Sequence, residues 1–366
     1  MNLVSTFRFI FLSLIALVFL PTLSAQKIKT VSGEHIKTDK LNQEIESIIE
    51  KLEMPGLSIG IINHNELVYH EAFGVTNLET KVPVDKESIF EAASLSKPIF
   101  AYFAMKMVEN GKLDLDKPLY EYFPHPAIEE KDQENYKLIT PRMVLSHSTG
   151  FPNHSNGSKI SLSCEPGKGF SYSGEAYQYL AAIIGMQHGV GWKAGLNDIF
   201  KQEVSIPLQM EHSSFLWTDY LAKHKVFGHN AAGKPTHNDT GGWSGETFNS
   251  FSSLHSEASE YAKFIIAMLR EEGLSKDSFK EMLAEQNHFS ESVDLFKETG
   301  QTGWGLGFAQ KPTPYGLMHL HTGNNHTFQA YTMFIPEQQY GLVVFTNSDK
   351  LLDFLQELGS VIGEQF

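Results

Sequence analysis

Apolar positions recur along the chain with two spacings, one helical and one strand-like, and these spacings predict the main elements. Residues 42–52 favour a helix because their apolar side chains return every three or four positions. That stripe consists of Ile45, Ile48, Ile49 and Leu52. The runs 56–63 and 67–74 are rich in residues that favour strands, with a short polar turn between them. They predict a β-hairpin.

The rest of the chain divides into a middle segment of short helical patterns and a regular C-terminal part. Apolar residues at steps of four predict a helix over 94–110, with Pro98 in its first turn, where a missing N–H costs nothing. A second helix is predicted over 256–271 and a final one over 351–362. The strands predicted near the C-terminus are 317–322, 329–335 and 341–347.

The order of these elements predicts an α+β fold of the α/β sandwich type. Strands at both ends of the chain suggest one antiparallel β-sheet, built from distant segments and flanked by helices. Residues 111–254, rich in Pro, Gly and His, predict an inserted, mostly helical lobe. We therefore expect one domain over 26–366, with its α/β part formed by about 36–110 and 255–366.

The first 25 residues have the pattern of a secretory signal peptide. Arg8 precedes an apolar run from residue 9 to 20, and small residues follow up to Ala25. Cleavage near Ala25 would leave a protein in the periplasm or outside the cell, without stable membrane insertion; the alternative is an uncleaved N-terminal anchor. The net charge of −14 argues against a nucleic acid or an anionic membrane as partner. Because Cys164 is the only cysteine, no intramolecular disulfide can form.

Ser94 and Lys97 are the first candidates for chemistry. A serine hydroxyl is a weak nucleophile unless a base takes its proton, and a lysine one helical turn away can do so when burial lowers its pKa. The same Ser-x-x-Lys spacing at Ser24–Lys27 straddles the predicted cleavage and carries no meaning. An isolated match also fits a helix N-cap with a solvated lysine.

Two further segments could complete a site around Ser94. Tyr172 follows a glycine-rich turn, and a phenolate beside a lysine ammonium is a competent base. Residues 319–325, of sequence HLHTGNN, place a glycine near the end of a predicted strand. There the backbone can approach a ligand closely, and the next N–H can bind an oxyanion.

These three segments, in this order, resemble the motifs of the serine β-lactamases and penicillin-binding-protein-like hydrolases. The nearest group contains class C β-lactamases, D-alanyl-D-alanine carboxypeptidases and related esterases, whose triplet is Ser-x-x-Lys, Tyr-x-Asn and Lys-Thr-Gly or His-Thr-Gly. Residues 139–152 are similar to the family's LLSHTSGLP segment. Comparable runs lie at 112–116, 207–210, 304–308 and 342–348, so the resemblance covers about 41–350.

The resemblance implies a role for each matching residue. Ser94 would be the acylated nucleophile and Lys97 its proton acceptor, while Tyr172 would pass the proton to the leaving group. The backbone N–H groups of Ser94 and Asn324 would form the oxyanion hole. The substrate-binding positions would be His321, Thr322, Gly323 and Gly174. No cofactor or metal is implied, and the substrate would be a small molecule or a peptide.

One position departs from the family pattern. Gly174 stands where the family usually has the asparagine that grips a substrate amide, and glycine cannot make that hydrogen bond. This departure argues against efficient turnover of a β-lactam or a D-Ala-D-Ala peptide more than against acyl transfer. His321 fits the peptidase-like branch, but a neutral imidazole binds a carboxylate less well than lysine does.

Three alternatives compete with an acyl-enzyme hydrolase. An α/β-hydrolase would need a Gly-x-Ser-x-Gly elbow, which the sequence lacks. A zinc hydrolase could use His319 and His321, whose side chains would share a strand face, but no carboxylate lies at a familiar spacing. A non-catalytic binding protein on the same scaffold is favoured by Gly174 and opposed by the retained serine, lysine and tyrosine. Trp243, Phe251 and Trp304 are candidate apolar walls of the site.

Overall fold

The computed structural model describes residues 27–240 and 245–363. The predicted signal peptide and Trp243 lie outside these residues. Twelve strands are described within them: β1 (Lys27–Lys29), β2 (His35–Lys37), β3 (Gly56–Asn63), β4 (Glu66–Gly74), β5 (Phe90–Glu91), β6 (His255–Ser256), β7 (Asn287–His288), β8 (Gly303–Trp304), β9 (Ala309–Thr313), β10 (Gly316–Asn324), β11 (Gln329–Ile335) and β12 (Tyr340–Thr346).

The α-helices of the same part of the chain lie before, between and after these strands. They are α1 (Thr38–Leu52), α2 (Ser96–Glu109), α3 (Gln133–Tyr136), α4 (Pro141–Leu145), α5 (Gly174–Gln187), α6 (Ala194–Phe200), α7 (Asp219–His224), α8 (Ala258–Arg270), α9 (Lys276–Leu283), α10 (Asp294–Thr299) and α11 (Leu351–Ile362). A 3₁₀ turn, Ala93–Leu95, immediately precedes α2.

One antiparallel sheet of eight strands forms the centre of the fold, in the order β4-β3-β12-β11-β10-β9-β8-β7. Strand β3, from the N-terminal part, pairs with β12, from the C-terminal part, so the two ends of the chain meet in mid-sheet. This arrangement confirms the predicted α+β class with an antiparallel sheet flanked by helices.

Both faces of the central strands are buried, which explains their nearly continuous apolar sequences. In β11, Ala330 and Phe334 belong to one core, while Tyr331 and Met333 belong to the other. The first core includes side chains of α2, α8 and the middle segment, and the second includes those of α1 and α11. Because side chains alternate along a strand, one sheet serves two separate cores.

The predicted elements correspond closely to the observed ones, with two informative differences. Helix α1 begins at Thr38, four residues before the predicted start at 42, and the helix predicted from Ser94 begins as the Ala93–Leu95 turn. Strands β7, β8 and β9 were not predicted, because two of them have only two residues and show no alternation. They extend the sheet beyond β10.

The middle segment is assembled from the short helices α3 to α7 and the loops between them. Helix α2 packs into the same core, where Phe100 contacts Tyr177 and Phe248, and Phe103 contacts Phe200. Through Tyr102, the same helix also contacts Phe264 of α8 and Phe279 of α9. No helix of the described residues is long and apolar enough to cross a bilayer.

Candidate active site

Ser94 lies in a tightly fixed turn between β5 and α2. The preceding residue, Ala93, has a φ of +48°, a backbone conformation that is uncommon for residues other than glycine. The Ser96 hydroxyl donates to the Ala93 carbonyl at 2.6 Å and accepts the Leu254 N–H at 3.0 Å. These bonds hold the turn against the segment before β6, while Ser94 itself stays partly exposed.

Lys97 occupies the first turn of α2 and points back at Ser94. Its Nζ lies 3.0 Å from the Ser94 Oγ and 3.0 Å from the Phe251 carbonyl oxygen. The side chain is buried, and its Nζ lies 4.5 Å from the centre of the Tyr172 ring. Burial lowers the pKa of Lys97 well below its ordinary value of 10.5. An amine with a lowered pKa can be neutral and can accept a proton.

Tyr172 completes the group around the serine. Burial raises the pKa of Tyr172 above its ordinary range, although its hydrogen bond with the Ser94 side chain acts in the opposite direction. At neutral pH Tyr172 is therefore a phenol, and burial shifts Lys97 toward its neutral amine form. This differs from the phenolate and ammonium considered from the sequence, and the physical reason is that burial penalises both charged forms.

His147 supports the Tyr172 ring, and motif reasoning did not single it out. Its ring lies 4.3 Å from that of Tyr172 and 5.0 Å from that of Trp304, measured between centroids. Its Nδ1 accepts the Ser173 N–H at 3.1 Å, so the neutral ring carries its proton on Nε2. His147 belongs to the 139–152 segment that resembled the family, and that resemblance was the available signal.

Strand β10 approaches the Ser94 turn at Gly323. A Cβ atom added to Gly323 would lie 2.3 Å from the Ala92 carbonyl oxygen, so only glycine permits this contact. The next residue, Asn324, is exposed and turns its side chain back to accept the His326 N–H at 2.8 Å. The end of β10 therefore lies against the turn that carries Ser94.

His321 is buried and uncharged. Its Nδ1 lies 2.8 Å from the Thr322 carbonyl oxygen, a geometry in which Nδ1 donates and leaves Nε2 without a proton. Burial lowers the pKa of His321 to about 3, and the nearby Lys97 acts in the same direction. The Thr322 side chain, on the opposite face of the strand, is exposed.

Gly174 begins α5, and a phenyl ring occupies the space beside it. A Cβ atom there would lie 2.7 Å from Phe251 Cδ2. The Gly174 N–H donates to the Asn153 Oδ1 at 2.9 Å. Phe251 thus fills the position next to Gly174 with its ring, while its carbonyl oxygen accepts from Lys97. The sequence suggested Phe251 as an apolar wall and gave no sign of the second contact.

A buried ion pair behind the site joins its two main segments. Glu91, three residues before Ser94, accepts from Lys225 Nζ at 2.7 Å and from Asn325 Nδ2 at 2.7 Å. Asn325 follows Asn324 and also accepts from the Ser252 hydroxyl at 2.9 Å. Although burial acts to raise the pKa of Glu91, Lys225 outweighs it and keeps that pKa below its ordinary value. Sequence reasoning missed this network, because Glu91 and Lys225 are 134 positions apart.

The two histidines of the alternative zinc site have aromatic neighbours. His319 stacks on Phe334 with 5.1 Å between ring centroids, and burial lowers its pKa to about 4. His321 lies 5.4 Å from Trp304 and 6.1 Å from Tyr172. Within residues 27–240 and 245–363, no group of three His, Cys, Asp or Glu residues is arranged to hold a metal ion.

The fold and this group of residues define a serine hydrolase superfamily, and comparison of the sequence identifies its branch. The chain belongs to the beta-lactamase family, whose model matches residues 41–364. This confirms the resemblance seen in the motifs. Protein flp of Staphylococcus aureus (strain MW2) is 24% identical over 339 residues, which cover 85% of this chain. The match spans 64% of the length of that relative.

Solved structures of low sequence identity share the fold. The octameric penicillin-binding protein homologue from Pyrococcus abyssi has a TM-score of 0.74 at 22% identity, covering 90% of this chain and 78% of that one. D-alanine carboxypeptidase AmpC from Burkholderia cenocepacia has a TM-score of 0.71 at 18% identity, covering 88% of this chain and all of that one (100%). An antiparallel sheet of this kind also excludes the α/β-hydrolase alternative.

Proposed function

We propose that this protein is an exported serine hydrolase that cleaves an ester or an amide through an acyl-enzyme on Ser94. The observation that carries the proposal is the buried Lys97 amine, 3.0 Å from the hydroxyl of a partly exposed serine. Family membership supports the general class. β-Lactams, D-amino-acid peptides and small esters are all substrates compatible with the motifs.

Acylation begins with proton transfer from Ser94 to Lys97. The neutral amine takes the proton as Oγ attacks the substrate carbonyl, and the electron pair of the C=O bond moves to its oxygen. The N–H groups of Ser94 and Asn324 stabilise this oxyanion. Close packing of Gly323 on Ala92 supports this assignment, because it brings the two backbone segments together.

Collapse of the tetrahedral intermediate requires a proton on the leaving group. Tyr172 donates its phenolic proton as the bond to the leaving alkoxide or amine breaks, and the Lys97 ammonium restores the proton to Tyr172. Water then attacks the ester on Ser94, and the Lys97–Tyr172 pair acts as the base. His321, Thr322 and Gly323 line the path of the substrate, whereas the Phe251 ring fills the space beside Gly174.

The alternative function is a non-catalytic binding or sensor protein on the same scaffold. Gly174 favours it, because the site lacks the amide that the family uses to grip its substrates. This alternative leaves no reason for a lysine to be buried beside a serine with no carboxylate partner among the described residues, since burying an amine is costly.

Covalent labelling separates the two functions. After exposure to a fluorophosphonate, peptide mass spectrometry should find one adduct, on Ser94. The adduct should disappear in Ser94→Ala and persist in Ser158→Ala, a control at an exposed serine. An unlabelled Ser94 in protein with an intact circular dichroism spectrum would support the non-catalytic alternative.

A further inference from the structure

A cavity of about 310 Å³ opens directly beside the candidate active site. Its lining includes Tyr172, whose side chain is hydrogen-bonded to that of Ser94, and His321. Thr322, Leu295, Trp304 and Leu320 also contribute to its walls. Its volume is at the lower end of the range found for small-molecule sites. A larger cavity of about 510 Å³, near the C-terminal end of α1, shares no lining residue with it.

The cavity walls are mainly apolar and carry no formal charge at neutral pH. Phe170, Leu295 and Leu320 supply apolar surface, and none of the lining residues is Lys, Arg, Asp or Glu. His321 is neutral, because its pKa lies at about 3. A carboxylate placed here would lose its hydration without gaining a positive partner from the walls, which is strongly unfavourable.

Three buried polar atoms of lining residues have no hydrogen-bond partner among the described residues. They are Gln301 Oε1, Trp304 Nε1 and His321 Nε2. The indole nitrogen can only donate, whereas His321 Nε2 accepts while Nδ1 donates to Thr322. Buried polar groups are nearly always paired in folded proteins, so atoms of this kind point to a ligand or water as their partner.

The cavity lies on the side of the site where the leaving group departs. Tyr172 lines the cavity and, in the mechanism above, gives its proton to the leaving group. A group that receives this proton must lie next to the phenol, and therefore at the mouth of the cavity. The acyl carbon is bonded to Ser94, whose side chain forms a hydrogen bond with that of Tyr172.

We propose that this cavity binds the uncharged, mainly apolar alcohol portion of an ester, and that it discriminates against leaving groups that carry a carboxylate. This inference rests on the proposed function and narrows its substrate class. It separates the protein from hydrolases whose leaving group is a D-amino acid, because such a group brings a carboxylate to the same place.

Three acetate esters with matched alcohols test the proposal. Hexyl acetate and 6-acetoxyhexanoate differ only in a terminal methyl or carboxylate, and ethyl acetate leaves the cavity unfilled. All three give the same acetyl-enzyme, so kcat/KM reports acylation alone. We expect hexyl acetate to exceed ethyl acetate by about tenfold or more, from burial of its extra methylenes. It should exceed 6-acetoxyhexanoate by about a hundredfold.

A variant in the cavity wall and a matched control sharpen the test. Leu295→Trp, on α10, should bring the ratio of hexyl to ethyl acetate close to one, because the indole fills the cavity. Leu352→Trp makes the same change on α11, where the side chain is 70% exposed, and should leave the ratio unchanged. Leu295→Lys should raise kcat/KM for 6-acetoxyhexanoate relative to hexyl acetate.

Mass spectrometry of Ser94 distinguishes failure of this inference from failure of the proposed function. If all three esters acetylate Ser94 at similar rates, the cavity does not select the alcohol and the inference is wrong. Faster reaction of 6-acetoxyhexanoate would also overturn it. If no ester acetylates Ser94 and the fluorophosphonate also leaves it unlabelled, the proposed function itself fails.

Discussion

The two sides of Ser94 are built in opposite ways. On the side of the lobe the space is filled: Lys97 is buried, and the Phe251 ring occupies the place beside Gly174. On the side of the sheet, next to His321, a cavity of about 310 Å³ remains. Dense packing lowers the pKa of Lys97 on the first side, and open space can admit substrate on the second. We infer that the proton-accepting Lys97 and the substrate lie on opposite sides of Ser94.

Replacing the base should have the largest effect. In Lys97→Met the side chain keeps most of its volume but cannot accept the Ser94 proton, and the rate of acylation should fall by about 10³-fold. Lys106→Met, on the same helix α2, is the matched control, because Lys106 lies far from Ser94 along the helix and bonds the Gly273 carbonyl. Stopped-flow measurement with an activated ester gives both rates. Equal rates in both variants would remove Lys97 from the mechanism.

Removing the phenol should have the next largest effect, and it should depend on the leaving group. Tyr172→Phe keeps the ring but loses the proton donor, so kcat/KM for alkyl esters should fall by about 10²-fold. p-Nitrophenyl esters need little protonation of their leaving group and should lose less. A loss of the same size for both kinds of ester would indicate that Tyr172 only positions the site.

The buried ion pair should matter less for the rate than for stability. Glu91→Gln leaves Lys225 without its carboxylate, which should lower the free energy of unfolding by about 3–5 kcal/mol and kcat by about tenfold. The control is Glu71→Gln, since Glu71 pairs with Lys86 at a more exposed position. Urea denaturation and steady-state kinetics measure the two effects.

The double variant Glu91→Gln/Lys225→Met separates the role of the network in positioning Asn324 from the cost of an unpaired buried charge. It should recover most of the stability, because no buried charge is left unpaired, but not the rate, because Asn325 has still lost its carboxylate acceptor. Recovery of the rate together with the stability would show that the network does not position Asn324.

Adding one methyl group at Gly174, beside the Phe251 ring, should have the smallest effect on activity. In Gly174→Ala the new Cβ would lie 2.7 Å from the Phe251 ring, so the ring must shift. We expect this shift to weaken the hydrogen bond from Lys97 to the Phe251 carbonyl. We expect a loss of activity of about threefold to tenfold, consistent with the cost of overpacking. Gly174→Ala/Phe251→Leu should regain part of it in the same assay. A single variant as active as the wild type would show that this contact does not hold Lys97.

Much of the fold could be predicted from apolar spacing, because the elements concerned bury complete stripes or faces. Strand β11 and helix α11 have the predicted bounds, and β3 agrees as well. The strands β7 and β8 could not be predicted, since two residues show no periodicity. Their place depends on pairing with β9, which only the tertiary structure supplies.

The candidate site also has a part that could be predicted from the sequence and a part that could not. Ser94 and Lys97 are separated by one helical turn, so their contact follows from local geometry. The acceptor role of Phe251 comes from a backbone carbonyl, which any residue type could supply, and so no sequence pattern indicates it. The Glu91–Lys225 pair joins residues far apart in the chain, so no sequence pattern indicates it either. The protonation states of the site residues could not be predicted from the sequence either, because they depend on burial.

The pH dependence of Ser94 acylation tests the central claim most directly, using an uncharged ester and pre-steady-state measurement. Burial lowers the pKa of Lys97, so the amine loses its proton at a lower pH than an exposed lysine does, and the rate should rise through that pKa and become level at a lower pH than an exposed lysine would allow. His321, neutral above about pH 3, should add no further step, and this rise should vanish in Lys97→Met. A rate in the wild type that still climbs tenfold per pH unit between pH 8 and pH 10 would contradict the claim, because Lys97 would then be an ordinary ammonium.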